Sequence, residues 1–329
     1  VLYTGRSVRS AMDALVDPRQ RPALLERIRR EADVELQRDR PGQAAPPSSR
    51  RSGISPALNI PRPPHWGIRV VRAMPLEAVF TCLNRNELFR LSWGAKNAHG
   101  EDWTKLQAEY DARLEEMRRA ALREGWLKPQ GIYGYWPAQG DGNDLIIYDP
   151  ASVEVGRPTE LVRLNFPRQS AGEYLCLADY FLPVDSGIMD VVALQVVTVG
   201  AEATERFDQL QAAGEYSTAY FTHGLAVQMA EAAAEYLHQH VRRELGLPAA
   251  QGKRYSWGYP SIPELADHEK VFALLPAGRE LGMRLTPAYQ LVPEQSTAAI
   301  ILHHPQARYF NIGQSRVDQL MTAAGQEPE

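Results

Sequence analysis

The densest binding chemistry in the chain lies in Arg254-Tyr-Ser-Trp-Gly-Tyr-Pro260, which sets three aromatics, a glycine and a proline behind one arginine. A guanidinium is a planar fork matched to a carboxylate. A Gly-Tyr-Pro turn is rigid and lets backbone approach a ligand closely. Together these residues suit a small anionic ligand with an aromatic or planar part. They equally suit a structural turn carrying a surface arginine, and residue types alone leave both readings open.

Glu231, Glu235 and His238 are spaced i+4 and then i+3, so a helix places them on one face. Glu235-Tyr-Leu-His238 is the E-x-x-H of di-iron bundles, but such sites need a second copy on another helix, and the sequence offers none. The face therefore reads as a carboxylate surface toward a cationic ligand. His238 and His240 fall about 200° apart on a helix and do not share a metal. His303-His304 follow an apolar run, so their side chains alternate and at most one faces a pocket. Gly140-Asp-Gly142 lacks both the G-x-G-x-x-G and the calcium-loop patterns and reads as a hairpin turn. No Gly-x-Ser-x-Gly is present, and neither Cys82 nor Cys176 lies in a nucleophile context. Hydrolase chemistry thus has no support, and no catalytic or metal-ligating residue is assigned.

The elements that must hold these groups are readable in outline. Residues 1–4 read as the end of a buried strand, 8–16 as a helix capped by Ser7, and 18–36 as a second amphipathic helix. Residues 41–64 are rich in Pro, Ser and Gly, a linker composition, which sets a boundary near residue 42. Beyond it, strands are expected at 68–73, 132–136, 144–148, 161–166, 174–181, 191–199, 297–303 and 308–312. Helices are expected at 76–83, 105–124 and 216–246. Strands arrive in runs with helices inserted in blocks. That order predicts an α+β fold around an antiparallel sheet, not a doubly wound parallel one.

The 329 residues, 44% hydrophobic and 23% charged, carry enough apolar material for one large core or two smaller ones. No run of about 18 apolar residues exists to span a membrane. Two cysteines exclude a disulfide scaffold and fit a reducing, cytoplasmic setting. Residues 1–60 hold 11 Arg against 7 acidic residues, leaving the remaining chain at −8 of a total −4. An acidic body of this size does not suit nucleic acid, and the N-terminal arginines alternate with acids as on a solvated helix.

Ordered along the chain are Arg62-Pro-Pro-His-Trp-Gly67, Leu88-Phe-Arg-Leu-Ser-Trp-Gly94, Tyr133-Gly-Tyr-Trp-Pro137 and Gly142-Asn-Asp-Leu-Ile-Ile-Tyr148. Phe166-Pro-Arg-Gln169, Cys176-Leu-Ala-Asp179, His223-Gly-Leu-Ala226 and Ala234-Glu-Tyr-Leu-His238 follow. Arg254–Pro260, Pro293-Glu-Gln-Ser296 and Ala307-Arg-Tyr-Phe310 complete the series. This succession resembles the C-terminal reactivation domain of cobalamin-dependent methionine synthases over about residues 60–313. Residues 1–41 resemble the tail of the preceding cobalamin-binding domain, a short α/β remnant, with 42–59 as linker and 60–325 as the activation domain.

The resemblance implies one α+β domain with a twisted antiparallel sheet. It implies a domain that presents S-adenosylmethionine so that oxidised cobalamin is remethylated, with a flavodoxin-type partner supplying an electron. Cobalamin itself would be held by the neighbouring domain, since no Asp-x-His-x-x-Gly is present. Zinc would belong only to a homocysteine domain whose cysteine cluster this chain lacks. By the same resemblance Arg254 meets the methionyl carboxylate, and Gly258 and Tyr259 form the turn beside it. Tyr309 and Phe310 form an aromatic pair near the ligand, and Glu231 is a helix carboxylate facing the site. The family's aspartate for the ligand's ammonium falls at Asn84, leaving Glu87, Glu231 or a water to compensate. The expectation is a fragment of the larger enzyme that does not make methionine by itself. The alternative is a free-standing reactivation subunit acting on a separate cobalamin protein.

Overall fold

The computed structural model describes residues 51–312 apart from 58, 249 and 250. The expected strand at 1–4, the helices at 8–16 and 18–36, the boundary near 42 and everything past 312 lie outside the described residues. The strands are β1 (Gly67–Val71), β2 (Gln130–Asp141), β3 (Asp144–Tyr148), β4 (Glu160–Asn165), β5 (Asp190–Thr198), β6 (Lys253–Ser256), β7 (Arg284–Leu285), β8 (Leu291–Val292) and β9 (Ser296–Leu302). The main helices are α1 (Leu76–Thr81), α2 (Gly100–Glu124), α3 (Glu202–Ala212), α4 (Tyr216–Glu244) and α5 (Asp267–Leu274).

Seven strands form one sheet in the order β4-β3-β2-β5-β9-β6, with β1 also paired to β2, and β7-β8 make a separate small hairpin. Every ladder is antiparallel, so the chain is α+β as its strand blocks predict. β2 organises the sheet. One of its edges carries β5 along residues 130–138, while the other carries β1 along 131–135 and then β3 along 138–141.

Alternation sorts β2 and β5 onto two cores. Tyr133, Tyr135, Val191, Ala193 and Val197 face a core built with α1, α2 and α4. Ile132, Trp136, Ala138, Val192, Leu194 and Val196 face a second core with α5 and the segment around Leu177–Tyr180. Covered on both sides, β5 is buried at all nine positions, which is why it reads as an apolar run without alternation. α4 lies on β5 and β9 with an alanine-rich surface that includes Ala226, Ala230, Ala233 and Ala234. Gly224 on the same helix admits Trp93: a Cβ there would stand 2.9 Å from the indole Cδ1.

Two expected strands are corrected. Residues 174–181 hold a 3-10 turn, Leu177–Tyr180, not a strand. Tyr174 turns the chain with a φ of 54°. Asp179 then folds back on the Cys176 N–H and takes the buried Arg168 guanidinium, with Nη2 at 2.7 Å from Oδ1. Those side-chain bonds replace a ladder. Residues 308–312 are likewise irregular, because their carbonyls serve side chains: Arg308 O accepts from Tyr255 Oη (2.7 Å), Phe310 O from Ser261 Oγ and Asn311 O from Gln169 Nε2 (2.7 Å). The Gly140–Asn143 cluster closes the β2–β3 hairpin, in register at Asp141 and Asp144, and Arg163 binds both carboxylates at 3.0 and 3.2 Å. β6, α3 and α5 have no counterpart in the sequence reading.

His303 and His304 are both buried, and neither lines the cleft described below. His303 Nε2 lies 2.6 Å from Asp190 Oδ1, and Asp190 Oδ2 also accepts from Leu182 N. His304 spans Ser55 O through Nε2 (2.8 Å) and accepts the Gln306 N–H at Nδ1 (3.1 Å). That pair of bonds requires the neutral ring. Burial lowers its pKa, and burial likewise lowers that of His268, whose Nδ1 meets Tyr289 O at 2.7 Å. With folded values below the unfolded 6.5, the unfolded chain binds more protons as the solution acidifies, so stability rises with pH across that window. Stability is full above 6.5 and is lost as pH falls through the folded values. The melting temperature is therefore expected to drop from about pH 7 to about pH 5. His304→Gln, whose amide is never charged in this range, should flatten the drop in a scanning-calorimetry series.

Candidate functional site

A cleft of about 570 Å³ opens where α4, β6 and the irregular 307–311 segment meet, lined among others by Glu87, Glu231, Arg254, Tyr259, Tyr309 and Phe310. Its volume falls within the roughly 300–1,000 Å³ typical of small-molecule sites. Each lining group is delivered by a separate device.

Arg254 stands on β6 opposite Ile301 of β9, on the face toward α4. Its guanidinium is mostly buried: Nη1 donates to Ser256 Oγ at 3.0 Å and Nη2 to Glu231 Oε2 at 2.9 Å. Glu231 projects from the middle of α4, and its other oxygen accepts from Tyr259 Oη at 3.2 Å. Of the three residues on that helix face, only Glu231 lines the cleft. Glu235 instead bonds His238 Nδ1 and Gln239 Nε2, each at 3.2 Å. Burial works to raise the Glu235 pKa, but those bonds hold it below the ordinary carboxylate value.

Gly258 adopts a φ of 87°, which only glycine takes without strain. Its N–H donates to Ile262 O while Ile262 N–H donates to Tyr259 O, both at 2.8 Å. The tight turn that results displays Tyr259 with 54% of its surface exposed, directly beside Glu231. Burial of the phenol and then the Glu231 carboxylate push the Tyr259 pKa up to about 12. Across the cleft, Tyr309 and Phe310 are laid along Tyr255, with ring centroids at 5.3 and 6.5 Å.

Asn84 is not among the lining residues. It is the N-cap of the helical turn Arg85–Glu87, and its Oδ1 accepts the Glu87 N–H at 3.2 Å. The carboxylate that reaches the cleft is Glu87. The turn is held by the aromatic cluster behind it. Trp93 stacks on Phe89 at 5.3 Å and donates Nε1–H to Phe221 O of α4 at 3.0 Å, and Tyr110 Oη donates to Trp93 O at 2.7 Å. Tyr255 and Ser256, inside the Arg254–Pro260 motif but given no role of their own by the sequence, and Ser261, just beyond it, also line the cleft. Period-two alternation along β6 would have paired Ser256 with Arg254 had that short strand been recognised.

A larger cavity, about 760 Å³, lies on the other side of the Tyr259–Glu231 pair and shares both residues. The smaller cleft holds the charge set: one guanidinium fork, two carboxylates and an aromatic wall. It offers complementary partners for a zwitterion and a surface for a planar ring.

The family described as "Vitamin B12 dependent methionine synthase, activation domain" matches residues 94–327. The chain belongs to this family. Two similar relatives are the methionine synthases of Mycobacterium tuberculosis, 33% identical over 290 residues, and Mycobacterium leprae, 31% identical over 292 residues. Each alignment covers 80% of this chain but 24% of the relative, so the chain spans about a quarter of their length. Among solved structures, the MetH reactivation domain bound to AdoHcy superposes with a TM-score of 0.70 at 25% identity, covering 81% of this chain and 87% of that one. Among the described residues of this activation-domain chain, no helix is long and apolar enough to cross a membrane.

The Tyr259–Glu231 contact is directly measurable. Glu231→Gln removes the charge while keeping an acceptor, so the Tyr259 phenol should titrate lower than about 12. It should stay above the ordinary value of about 10 because burial persists. NMR titration of ring-labelled tyrosine, assigned with Tyr259→Phe, gives the answer; an unmoved midpoint would separate the two residues in solution.

Proposed function

We propose that this chain is the C-terminal part of a cobalamin-dependent methionine synthase and binds S-adenosylmethionine for reductive reactivation, in which oxidised cobalamin is remethylated. The observation that carries this reading is the meeting of Arg254, Glu231 and Glu87 with Tyr309 and Phe310 around one cleft. S-adenosylmethionine presents a carboxylate, an ammonium, a sulfonium and a planar adenine. The Arg254 fork suits the carboxylate, Glu87 and Glu231 suit the positive groups, and the aromatic wall suits the adenine. The relatives' name and the AdoHcy complex of the superposed domain support the same ligand class.

In this reading residues 60–325 are the activation domain, 1–41 close the cobalamin-binding domain and 42–59 link them. Cobalamin is held by that neighbouring domain, since the Asp-x-His-x-x-Gly of its lower ligand does not occur in this chain. When present it supplies the metal that accepts the methyl group. This chain's residues bind and orient the donor. The partners are the cobalamin-binding domain and a flavodoxin-type electron donor, in the cytoplasm.

Calorimetric titration of the chain with S-adenosylmethionine should give saturable heat and raise the melting temperature. Silence in both up to roughly millimolar ligand, about 4 kcal/mol of binding free energy, would remove the reading. Arg254→Ala should weaken binding by about 1.5–3 kcal/mol, the worth of a hydrogen bond to a charged group. At the ammonium end the reading gives the work to Glu87, which lines the cleft. Glu87→Gln should cost about 0.5–2 kcal/mol, the excess of a charged over a neutral acceptor, while Asn84→Asp, which caps the same turn equally well, should leave affinity unchanged. Tighter binding by Asn84→Asp with no effect of Glu87→Gln would return the role to position 84.

A further inference from the structure

Gln195 is a polar side chain in an apolar setting. It lies near the middle of β5, wholly buried, on the face that Ala193 and Val197 turn toward α4. Its Nε2–H donates to Ala234 O of α4 at 3.0 Å, while its Oε1 has no hydrogen-bond partner among the described residues. A buried acceptor left unmet costs stability, so the fold by itself gives no reason for glutamine over an apolar residue of equal size.

The helix surface it touches supplies a reason. The buried face of α4 around Gln195 is largely alanine, Ala226, Ala230, Ala233 and Ala234, with Leu237 standing over Gly131 of β2. Methyl groups make shallow ridges, and shallow ridges resist sliding and rotation weakly. A directional bond to one helix carbonyl fixes a register that methyl contacts leave loose, the role in which buried polar groups are best attested.

The bond also ends at a telling place. Gln195 lies opposite Ala299 in β9, and Ala299 lies opposite Ser256 in β6, so Gln195 and Ser256 share one row and one face of the sheet. Ser256 Oγ holds Arg254 Nη1 at 3.0 Å from the sheet side. Glu231, one helical turn before Ala234, holds Arg254 Nη2 at 2.9 Å from the helix side. We infer that Gln195 is a positioning residue for the cleft, its bond to Ala234 O holding α4 in the register that sets Glu231 against Arg254 and Tyr259. The consequence for ligand affinity rests on the proposed binding of S-adenosylmethionine; the geometric claim does not.

Gln195→Met and Gln195→Leu keep the volume and remove the bond. Both are compared with wild type for melting temperature, the S-adenosylmethionine dissociation constant and the Tyr259 titration midpoint, each also in the Glu231→Gln background. Melting temperatures equal to or above wild type are expected, with the dissociation constant raised about three- to ten-fold, the range of coupling between interacting residues. The Tyr259 midpoint should fall, because Glu231 no longer stands against the phenol. In the Glu231→Gln background the Gln195 substitutions should add nothing further. An unchanged Tyr259 midpoint, an affinity loss that persists undiminished without the Glu231 charge, or failure of both variants to fold would overturn the inference. Should wild type bind no S-adenosylmethionine, the proposed function falls while the Tyr259 titration still judges Gln195.

Discussion

The contact on which the cleft depends is the close seating of α4 on β5 and β9. A 29-residue helix with an alanine face brings its axis near the sheet, and only that proximity lets a carboxylate from the helix reach a guanidinium rooted in β6. Larger side chains at Ala230, Ala233 or Ala234 would lift the helix, and the 2.9 Å bond between Glu231 and Arg254 would open. A second close contact on α4, at Gly224, admits Trp93, whose segment continues from the turn that carries Glu87. Sheet, helix and loop therefore contribute one charged group each, and α4 packs against the elements that carry the other two.

Two of the charges so assembled, Arg254 and Glu231, are already paired with one another. Arg254 and Glu231 are partly buried, and removing either from water carries a cost that their mutual attraction offsets only in part. On the proposed reading, a ligand bearing a carboxylate and an ammonium would exchange this internal pair for two external ones, its carboxylate taking the guanidinium and its ammonium a carboxylate. The binding free energy is then the difference between two sets of ion pairs. Tyr259 gives Glu231 a second, neutral donor at 3.2 Å, so that carboxylate would keep a partner if Arg254 turned to a ligand.

Which of these features could be read from residues alone follows from their range in sequence. The apolar run of β5, the charged periodicity of α2 and the long alanine-rich α4 are local patterns, and each is found within a few residues of its expected bounds. The segments at 174–181 and 308–312 have strand composition but lose their ladders to side-chain partners that no strand pattern announces, Arg168 eleven residues before Asp179 in one case and the sequence-distant Tyr255, Ser261 and Gln169 in the other. β6 is only four residues long and is defined by its pairing with β9, some forty residues later, so no local signal announces it. Arg254 and Tyr259 were legible because glycine and proline mark their turn. That Glu231 points at them, while Glu235 on the same face turns to His238, is set by where the helix rests on the sheet, which periodicity does not encode.

Position 84 shows the difference between a residue's type and its work. An aspartate or an asparagine before a short helical turn serves the same local purpose, accepting the N–H three residues on, and Asn84 does this toward Glu87. Charge at that position would lie beside the turn and not in the cleft. Moving the carboxylate to Glu87 places it on the lining itself while the cap keeps the turn closed beneath it. On the proposed reading, the arrangement separates two tasks that one aspartate would have to combine, holding the backbone and meeting the ligand's ammonium. A capping side chain spends its acceptor on the backbone N–H and has less to offer a ligand. An uncharged cap next to a charged neighbour thus keeps the turn closed while leaving the Glu87 carboxylate on the cleft lining.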